Sequence, residues 1–156
     1  MIKFFIVLCL FFSSLLALDG KVIKVADGDT ITILTDSKEQ VKIRLFGIDA
    51  PEKKQAYGEK SREFLSSLIA GKIVNIKEKH TDRHGRTVGV VYYNNTDINK
   101  KMVENGYAWA YTRYSKDYVS EHNKARASKF GLWQEPNPIE PSIFRKHHTK
   151  QKSLKI

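Results

Sequence analysis

The sequence predicts an α+β fold that is mainly β, a five-stranded Greek-key barrel carrying about three helices. Five short segments alternate or are rich in β-branched residues, a helical pattern interrupts them after the third, and two more follow the fifth. The chain has 156 residues, 41% of them apolar, which is enough for one domain with its own core. An aromatic content of 11% and a single Cys exclude a mostly disordered chain and a disulfide scaffold.

The first residues have the pattern of a secretory signal peptide. Lys3 gives a basic start, the stretch from Phe4 to Leu18 is almost entirely apolar, and the small Ala17 stands near its end. This stretch is shorter than the ~20 apolar residues that a membrane span needs. We expect cleavage after Ala17 and export to the periplasm or the medium without stable membrane insertion; a retained anchor is the alternative. Cleavage also removes Cys9, the only cysteine, and thiolate chemistry with it.

Three predicted strands follow in close succession. Residues 21–25 alternate, residues 30–34 are rich in β-branched side chains, and residues 40–46 come after a turn at residues 36–38. The tight connections favour an antiparallel meander. Pro51 ends it, because proline cannot donate a hydrogen bond to a neighbouring strand.

A helix and two further strands complete the predicted barrel. Residues 57–69 place Phe64, Leu65 and Ile69 on one face, and Gly71 stands where a C-terminal cap belongs. The strands at residues 72–77 and 87–93 are separated by a polar loop at residues 81–86. Two helices, at residues 98–104 and within residues 118–130, come last, and five strands with a helix inserted after the third fit an OB fold.

The chain therefore divides into three predicted parts: a signal peptide at residues 1–17, an OB-fold domain at residues 18–134 and a C-terminal tail at residues 135–156. The tail has three prolines and then a basic run made of Arg145, Lys146, Lys150, Lys152 and Lys155. This composition predicts a loosely ordered segment.

Four acidic residues stand at the ends of predicted strands. Asp27 and Asp29 flank Gly28, which can supply unusual backbone angles, while Asp49 and Glu52 stand on either side of a proline. If the two bends face each other, the carboxylates repel one another unless a cation neutralises them. Oxygen ligands without a nearby Cys favour Ca²⁺ or Mg²⁺ over zinc. The alternative is that both motifs are only turn sequences.

Two arginines are predicted to lie near this acidic centre. Arg44 is inside the third strand, five residues before Asp49, and Arg86 follows a glycine at the start of the last strand. Two guanidinium groups at one centre suit a phosphate, which each can bind through two hydrogen bonds. A cation, a carboxylate and two arginines together are typical of phosphoryl transfer.

Six short motifs stand in a characteristic order between Val22 and Trp133. Their order and spacing resemble those of the staphylococcal-type thermonuclease family. The motifs are Asp27-Gly28-Asp29-Thr30, Arg44-Leu45-Phe46-Gly47-Ile48-Asp49-Ala50-Pro51-Glu52, Tyr57-Gly58-Glu59, Asp82-Arg83-His84-Gly85-Arg86, Asn105-Gly106-Tyr107-Ala108-Trp109 and Gly131-Leu132-Trp133.

The resemblance implies an OB-fold nuclease that uses Ca²⁺ to hydrolyse DNA and RNA and leaves 3′-phosphate ends. In this chain it implies that Asp29 and Asp49 are the Ca²⁺ carboxylates, with the backbone carbonyl of Ala50 as a further ligand. Glu52 orients or deprotonates the attacking water. The catalytic arginines implied in the same way are Arg44 and Arg86.

Two positions depart from the family's best-known member, which has Thr where this chain has Ala50 and Tyr where it has His84. Because residue 50 contributes a backbone oxygen, loss of the hydroxyl should be tolerated. His84 can stack on a base and is a predicted substrate contact, as are Tyr111, Arg113 and Tyr114, which interleave aromatic and basic side chains. We expect Trp109 in the same stretch to pack between the barrel and the C-terminal helix instead.

The positive charge favours polyanions as partners. The formal charge is +10, or +9 once Lys3 is removed with the signal peptide, and it predicts salt-sensitive binding to DNA and RNA. We expect a monomer that prefers single strands. Two other functions stay open: a catalytically silent OB module that only binds nucleic acid, and a basic surface protein that binds anionic polymers through its tail.

Overall fold

The strands and helices of the protein are defined by a computed structural model that describes residues 18–153, with side chains through residue 150. The predicted signal peptide, residues 1–17, lies outside the described residues. The strands are β1 (Leu18–Asp27), β2 (Thr30–Leu34), β3 (Gln40–Leu45), β4 (Ile48–Asp49), β5 (Ile73–Thr81), β6 (Thr87–Tyr93), β7 (Thr96–Asp97) and β8 (Trp109–Ala110). The helices are α1 (Gly58–Ile69), α2 (Ile98–Glu104), α3 (Val119–Ala127) and α4 (Pro141–Ser153), with a 3₁₀ helix at Gly131–Gln134.

Five of the strands form a closed barrel. β1 pairs antiparallel with both β2 and β5, β2 continues to β3, and β5 continues to β6. A parallel pairing between β3 and β6, with Arg44 opposite Val88, closes the barrel. The predicted OB-type α+β fold is confirmed, although four α-helices are present in the described part of the chain where about three were expected.

The core lies inside the barrel and under α1. Alternation along the strands sends one side chain in two inward, as the burial pattern of β3 shows, and α1 contributes Leu65 and Ile69 at full burial. Gly71 follows α1 with a φ of +72°, a left-handed conformation that favours glycine at a helix end. The fully buried side chains around these helix residues are Ile31, Ile33, Ile43, Leu45, Ile48, Val74, Val91, Met102 and Val103.

The buried side-chain amide of Asn99 fixes the turn between β3 and β4. Asn99, at the start of α2, is fully buried. Its Oδ1 accepts a hydrogen bond of 3.1 Å from the Val91 amide, and its Nδ2 donates to the carbonyls of Phe46 and Gly89 at 2.9 and 3.2 Å. A fully bonded buried amide is rigid, because breaking any one bond leaves an unpaired polar group inside the core. Asn99 therefore holds the turn between β3 and β4, immediately before Asp49.

The prediction of a loosely ordered tail is wrong between residues 141 and 153, which form α4. Pro141 occupies the first helical position, where its fixed φ suits a helix and its missing N–H is not needed. Phe144 packs on His148 one turn later, with ring centroids 4.3 Å apart. Long-range contacts from Arg145 hold the helix against the barrel. Composition could not reveal those contacts, because their partners are more than ninety residues away in sequence.

Among the described residues, no helix has both the length and the apolar character required to cross a membrane.

Candidate active site

The residues predicted for the site line one open cleft of about 730 Å³. The cleft lies where the β1–β2 bend, the segment after β4 and the loop between β5 and β6 meet. Its lining includes every predicted site residue: Asp29, Arg44, Asp49, Ala50, Glu52, His84, Arg86, Tyr111, Arg113 and Tyr114. The structure therefore brings the predicted set together, while the chemical role of each member stays a prediction.

Asp29 and Asp49 meet around one positive charge. Both are buried, with 6% and 1% of their surface exposed. The Nη2 atom of Arg44 lies 3.1 Å from Asp29 Oδ2 and 3.2 Å from Asp49 Oδ1, so a single nitrogen bridges the two carboxylates. The backbone amide of Ala50 also donates to Asp29 Oδ2, at 2.7 Å. Carboxylates buried this deeply persist only when cations and donors compensate them.

The bend that carries Asp29 requires glycine at position 28, because there is no space there for a side chain. Gly28 is not among the glycines with positive φ, so the expectation that it supplies unusual backbone angles is wrong. A Cβ at this position would lie 1.9 Å from Ser61 Oγ and 2.8 Å from the Cβ of Ala50. Ser61 is itself fixed, because its hydroxyl donates to the Tyr107 carbonyl at 2.6 Å. The absence of a side chain thus lets the bend approach α1 and the segment after β4.

An arginine that is absent from the predicted set, Arg145, contacts Asp49 and Glu52. Arg145 of α4 donates from Nη2 to Asp49 Oδ2 at 2.9 Å, and from Nη1 to Asp49 Oδ1 at 3.1 Å and Glu52 Oε1 at 2.7 Å. Its side chain and that of Glu52 stay 41% and 39% exposed. In the sequence Arg145 is marked only as the one arginine of a basic run whose other members are lysines, which does not indicate a partner in the cleft.

Burial raises the pKa of two carboxyl groups of the cleft, Asp49 and Asp27. Burial raises the pKa of Asp49, although the hydrogen bonds from Arg145 and the charge of Arg44 oppose this. Burial and the negative charge of Asp29 raise the pKa of Asp27 to about 7. Asp27 is thus partly protonated near neutral pH, which limits the negative charge beside Asp29.

Asp29 and Asp49 can bind a hard cation, but two carboxylates alone do not complete its coordination shell. Among the described residues, no three His, Cys, Asp or Glu side chains are grouped so that they could hold a metal ion. Asp29 and Asp49 nevertheless direct carboxylate oxygens at one point, which the cationic nitrogen of Arg44 occupies. Carboxylate oxygens are the ligands that Ca²⁺ and Mg²⁺ prefer. The residues that would hold such an ion are Asp29, Asp49 and the carbonyl of Ala50. Water and substrate phosphate would complete its shell.

Arg86 lines the cleft, and its side chain is hydrogen-bonded to Asp82 in the loop between β5 and β6. Its Nε donates to Asp82 Oδ2 at 2.8 Å, while Asp82 Oδ1 accepts from the amides of His84 and Arg86 at 2.8 and 3.0 Å. Gly85 turns the loop with a φ of +73°. Burial of Asp82 opposes ionisation, but the hydrogen bonds from Arg86 and His84 outweigh it and lower the pKa of Asp82 to about 2. Sequence reasoning noted this loop but missed Asp82 as the residue that orients Arg86.

Replacing Asp82 with asparagine should make the protein less stable at pH 7 by about 1 kcal/mol, the upper range for a partly exposed ion pair. Because folding lowers this pKa below its ordinary value of 3.8, the stabilisation is present above pH 4 and is lost as the pH falls towards 2. Urea unfolding at pH 7, 4 and 2 should therefore show a difference between wild type and variant that shrinks with acidification. Asp36→Asn, in an exposed turn, is the control; a constant difference across these pH values would contradict the prediction.

Aromatic side chains form one wall of the cleft. Tyr111 and Tyr114 meet edge to face with centroids 4.8 Å apart, and Tyr114 is 64% exposed. His84 is exposed as well, and its Nε2 accepts a hydrogen bond of 3.2 Å from Arg83. Trp109 is half-buried and packs against His122 of α3 and against Trp133, with the centroids of the two tryptophans 4.5 Å apart, so the expectation that it packs is confirmed. The exposed rings can stack on bases of any identity.

Known proteins resemble this chain over most of its length. Residues 42–135 match the model of the family described as staphylococcal nuclease homologue. An uncharacterized endonuclease of Haemophilus influenzae is 48% identical over 128 residues, which cover 81% of this chain and 72% of that protein. One from Escherichia coli O157:H7 is 46% identical over 129 residues, 81% of this chain and 84% of that protein. A micrococcal nuclease of Shigella flexneri is 41% identical over 140 residues, 81% of this chain and 80% of that protein.

Proposed function

This chain belongs to the staphylococcal nuclease homologue family, and we propose that it is a Ca²⁺-dependent nuclease acting on DNA and RNA with little sequence specificity, leaving 3′-phosphate ends. The observation that carries the proposal is the convergence of Asp29 and Asp49 on one cationic nitrogen of Arg44. Glu52 and Arg86 line the same cleft. On this proposal Asp29 and Asp49 hold the cation, Glu52 is the base, and Arg44 and Arg86 bind the phosphate.

The chemistry is the displacement of one phosphate oxygen by water. A bound Ca²⁺ supplies positive charge that offsets the negative charge on the phosphoryl oxygens. Glu52 takes a proton from the attacking water as the new oxygen–phosphorus bond forms. The bond from phosphorus to the 5′-oxygen breaks, the 5′-oxygen gains a proton from solvent, and the phosphate stays on the 3′ side. Arg44 and Arg86 bind the phosphoryl oxygens as negative charge builds up on those oxygens.

Low sequence specificity follows from the kind of contacts that the cleft offers. Guanidinium groups bind phosphate, which is the same at every nucleotide, and exposed rings such as Tyr114 stack on any base. Stacking on Tyr111, Tyr114 and His84 needs bases that are free of a complementary strand. We therefore propose that the enzyme prefers single strands and acts as a monomer.

Export is part of the proposal. It rests on the basic start and apolar run of residues 1–17, which have the pattern of a cleaved signal. Activity should be found in the periplasmic fraction or the medium, on a protein whose N-terminus is Leu18. Activity confined to the cytosol on an uncleaved chain would contradict export.

The direct test is hydrolysis by the purified protein across Ca²⁺, Mg²⁺ and Mn²⁺, with identification of the product ends. We expect cleavage of single-stranded DNA and of RNA with Ca²⁺, 3′-phosphate products and loss of activity in EDTA. Cleavage that survives EDTA would contradict the cation's role. Binding of single-stranded DNA without product under every cation would favour the silent OB module.

A further inference from the structure

A second cavity opens beside the candidate active site. Its volume is about 480 Å³, and Tyr111, Arg113 and Arg145 line both spaces. The remaining lining comes from α4: Ser142, Lys146, Thr149 and Lys150. These positions recur at intervals of three and four residues, so they share one helix face. The cleft therefore continues onto the C-terminal helix instead of ending at the aromatic wall.

The second cavity is strongly cationic. Four of its seven lining residues are Arg or Lys, and no acidic residue lines it in the part of the chain that the structure describes. Arg145 is balanced by Asp49 and Glu52 on the side of the candidate active site. Arg113, Lys146 and Lys150 bring positive charge to a common space, where like charges repel and an anion is favoured.

The position of α4 is fixed by contacts with the site itself. Arg145 is bonded to Asp49 and Glu52, and the Gln55 side chain donates to the carbonyl of Ile139, just before the helix, at 2.5 Å. Since both anchors lie on the segment that carries Glu52, the cationic face of α4 has a defined place relative to the reacting centre. A loosely tethered basic tail would bind polyanions without such a fixed relation.

We propose that α4 and Arg113 form a second phosphate subsite, which binds the backbone of the nucleic acid strand next to the scissile phosphate. The proposal rests on the proposed nuclease function and adds the binding of substrate chain beyond the reacting bond. Lys146, Lys150 and Arg113 contact neighbouring phosphates, and Tyr111, which lines both cavities, stacks on the base between them. The C-terminal helix is thus part of the substrate site.

The test compares Lys146→Gln/Lys150→Gln with wild type on a 20-nucleotide DNA strand and on a dinucleotide with one phosphodiester bond. Each lost contact to a single strand lowers the salt slope of binding by about 0.7, which is about fivefold in affinity at 0.1 M salt. We expect KM for the long strand to rise between five- and 25-fold. The kcat on both substrates and the KM for the dinucleotide should stay unchanged.

The matched control is Lys24→Gln/Lys72→Gln, which removes two exposed positive charges that line neither cavity. Binding of the 20-nucleotide strand in EDTA, followed by fluorescence anisotropy against salt, gives a readout that needs no turnover. Equal affinity of variant and wild type, or an equal loss in the control variant, would overturn the subsite. Failure of the wild type to cleave the 20-nucleotide strand under any cation would instead count against the nuclease function, leaving the anisotropy result to decide the subsite.

Discussion

Replacement of Glu52 by glutamine is expected to lower kcat by about 10²- to 10⁴-fold, the usual contribution of a positioned general base. Glutamine keeps the size and hydrogen-bonding shape of the side chain but cannot take the proton from the attacking water. Glu52 is suited to this role by position, because its carboxylate lines the cleft that holds Asp29 and Asp49 and is 39% exposed, within reach of solvent water. Steady-state hydrolysis of single-stranded DNA at saturating Ca²⁺ measures the effect.

Glu59→Gln is the matched control for this substitution. Glu59 undergoes the same chemical change on the exposed face of α1, where its partner is Arg62, and it does not line the cleft. Its variant should keep wild-type kcat. The Glu52 variant should also keep its affinity for substrate in EDTA, because binding does not use the base and the Oε1 of glutamine can still accept the hydrogen bond from Arg145 that helps to hold α4. A Glu52→Gln enzyme with kcat within tenfold of wild type would remove Glu52 from the reaction.

Local patterns in the sequence were sufficient to predict most of the barrel. The bounds of β2, β6 and α2 agree with the predicted residues 30–34, 87–93 and 98–104. Each of these elements is specified by periodicity and by a turn or cap at its ends, so neighbouring residues carry the information. The parallel pairing of β3 with β6 is not encoded in this way. It follows from closure of the whole barrel around the core.

In the candidate site too, residues marked by local sequence patterns could be predicted, and residues placed by long-range packing could not. Asp29 and Asp49 could be found because acidic residues within two positions of Gly or Pro at strand ends are visible in the sequence, although their roles are implied by the family resemblance. The pair Asp82 and Arg86 is also visible, as opposite charges four residues apart in a polar loop. Arg145 is not, because it meets Asp49 across 96 residues, and that meeting depends on how the last helix packs.

Replacement of Arg145 by glutamine is expected to tighten Ca²⁺ binding by about tenfold or more. In the structure the guanidinium of Arg145 contacts both oxygens of Asp49, one of the two carboxylates proposed to hold the cation. A cation that binds Asp49 must therefore displace these bonds. Hydrogen bonds to charged groups contribute about 1.5–3 kcal/mol. Because 41% of the Arg145 side chain is exposed, we place its contribution at the low end of this range. A free-energy change of about 1.4 kcal/mol corresponds to a tenfold change in Ca²⁺ affinity.

Calorimetric titration of Ca²⁺ into the protein without nucleic acid measures this competition directly. Lys146→Gln is the control, because it removes one positive charge from the neighbouring position of α4 without a contact to Asp49 or Glu52. Its effect on Ca²⁺ affinity should be less than threefold, as expected for an exposed charge screened by salt. An Arg145→Gln variant that binds Ca²⁺ no better than the Lys146→Gln variant would show that the guanidinium does not oppose the cation.

Stability should change in the opposite sense to cation affinity. Without Ca²⁺, the loss of Arg145 leaves the buried Asp49 with Arg44 as its remaining cationic partner, so the Arg145→Gln variant should melt at a lower temperature than wild type. Saturating Ca²⁺ replaces the missing charge and should bring the two melting temperatures together. If Arg145 instead served only to attach α4, Ca²⁺ would leave the gap between the two melting temperatures unchanged.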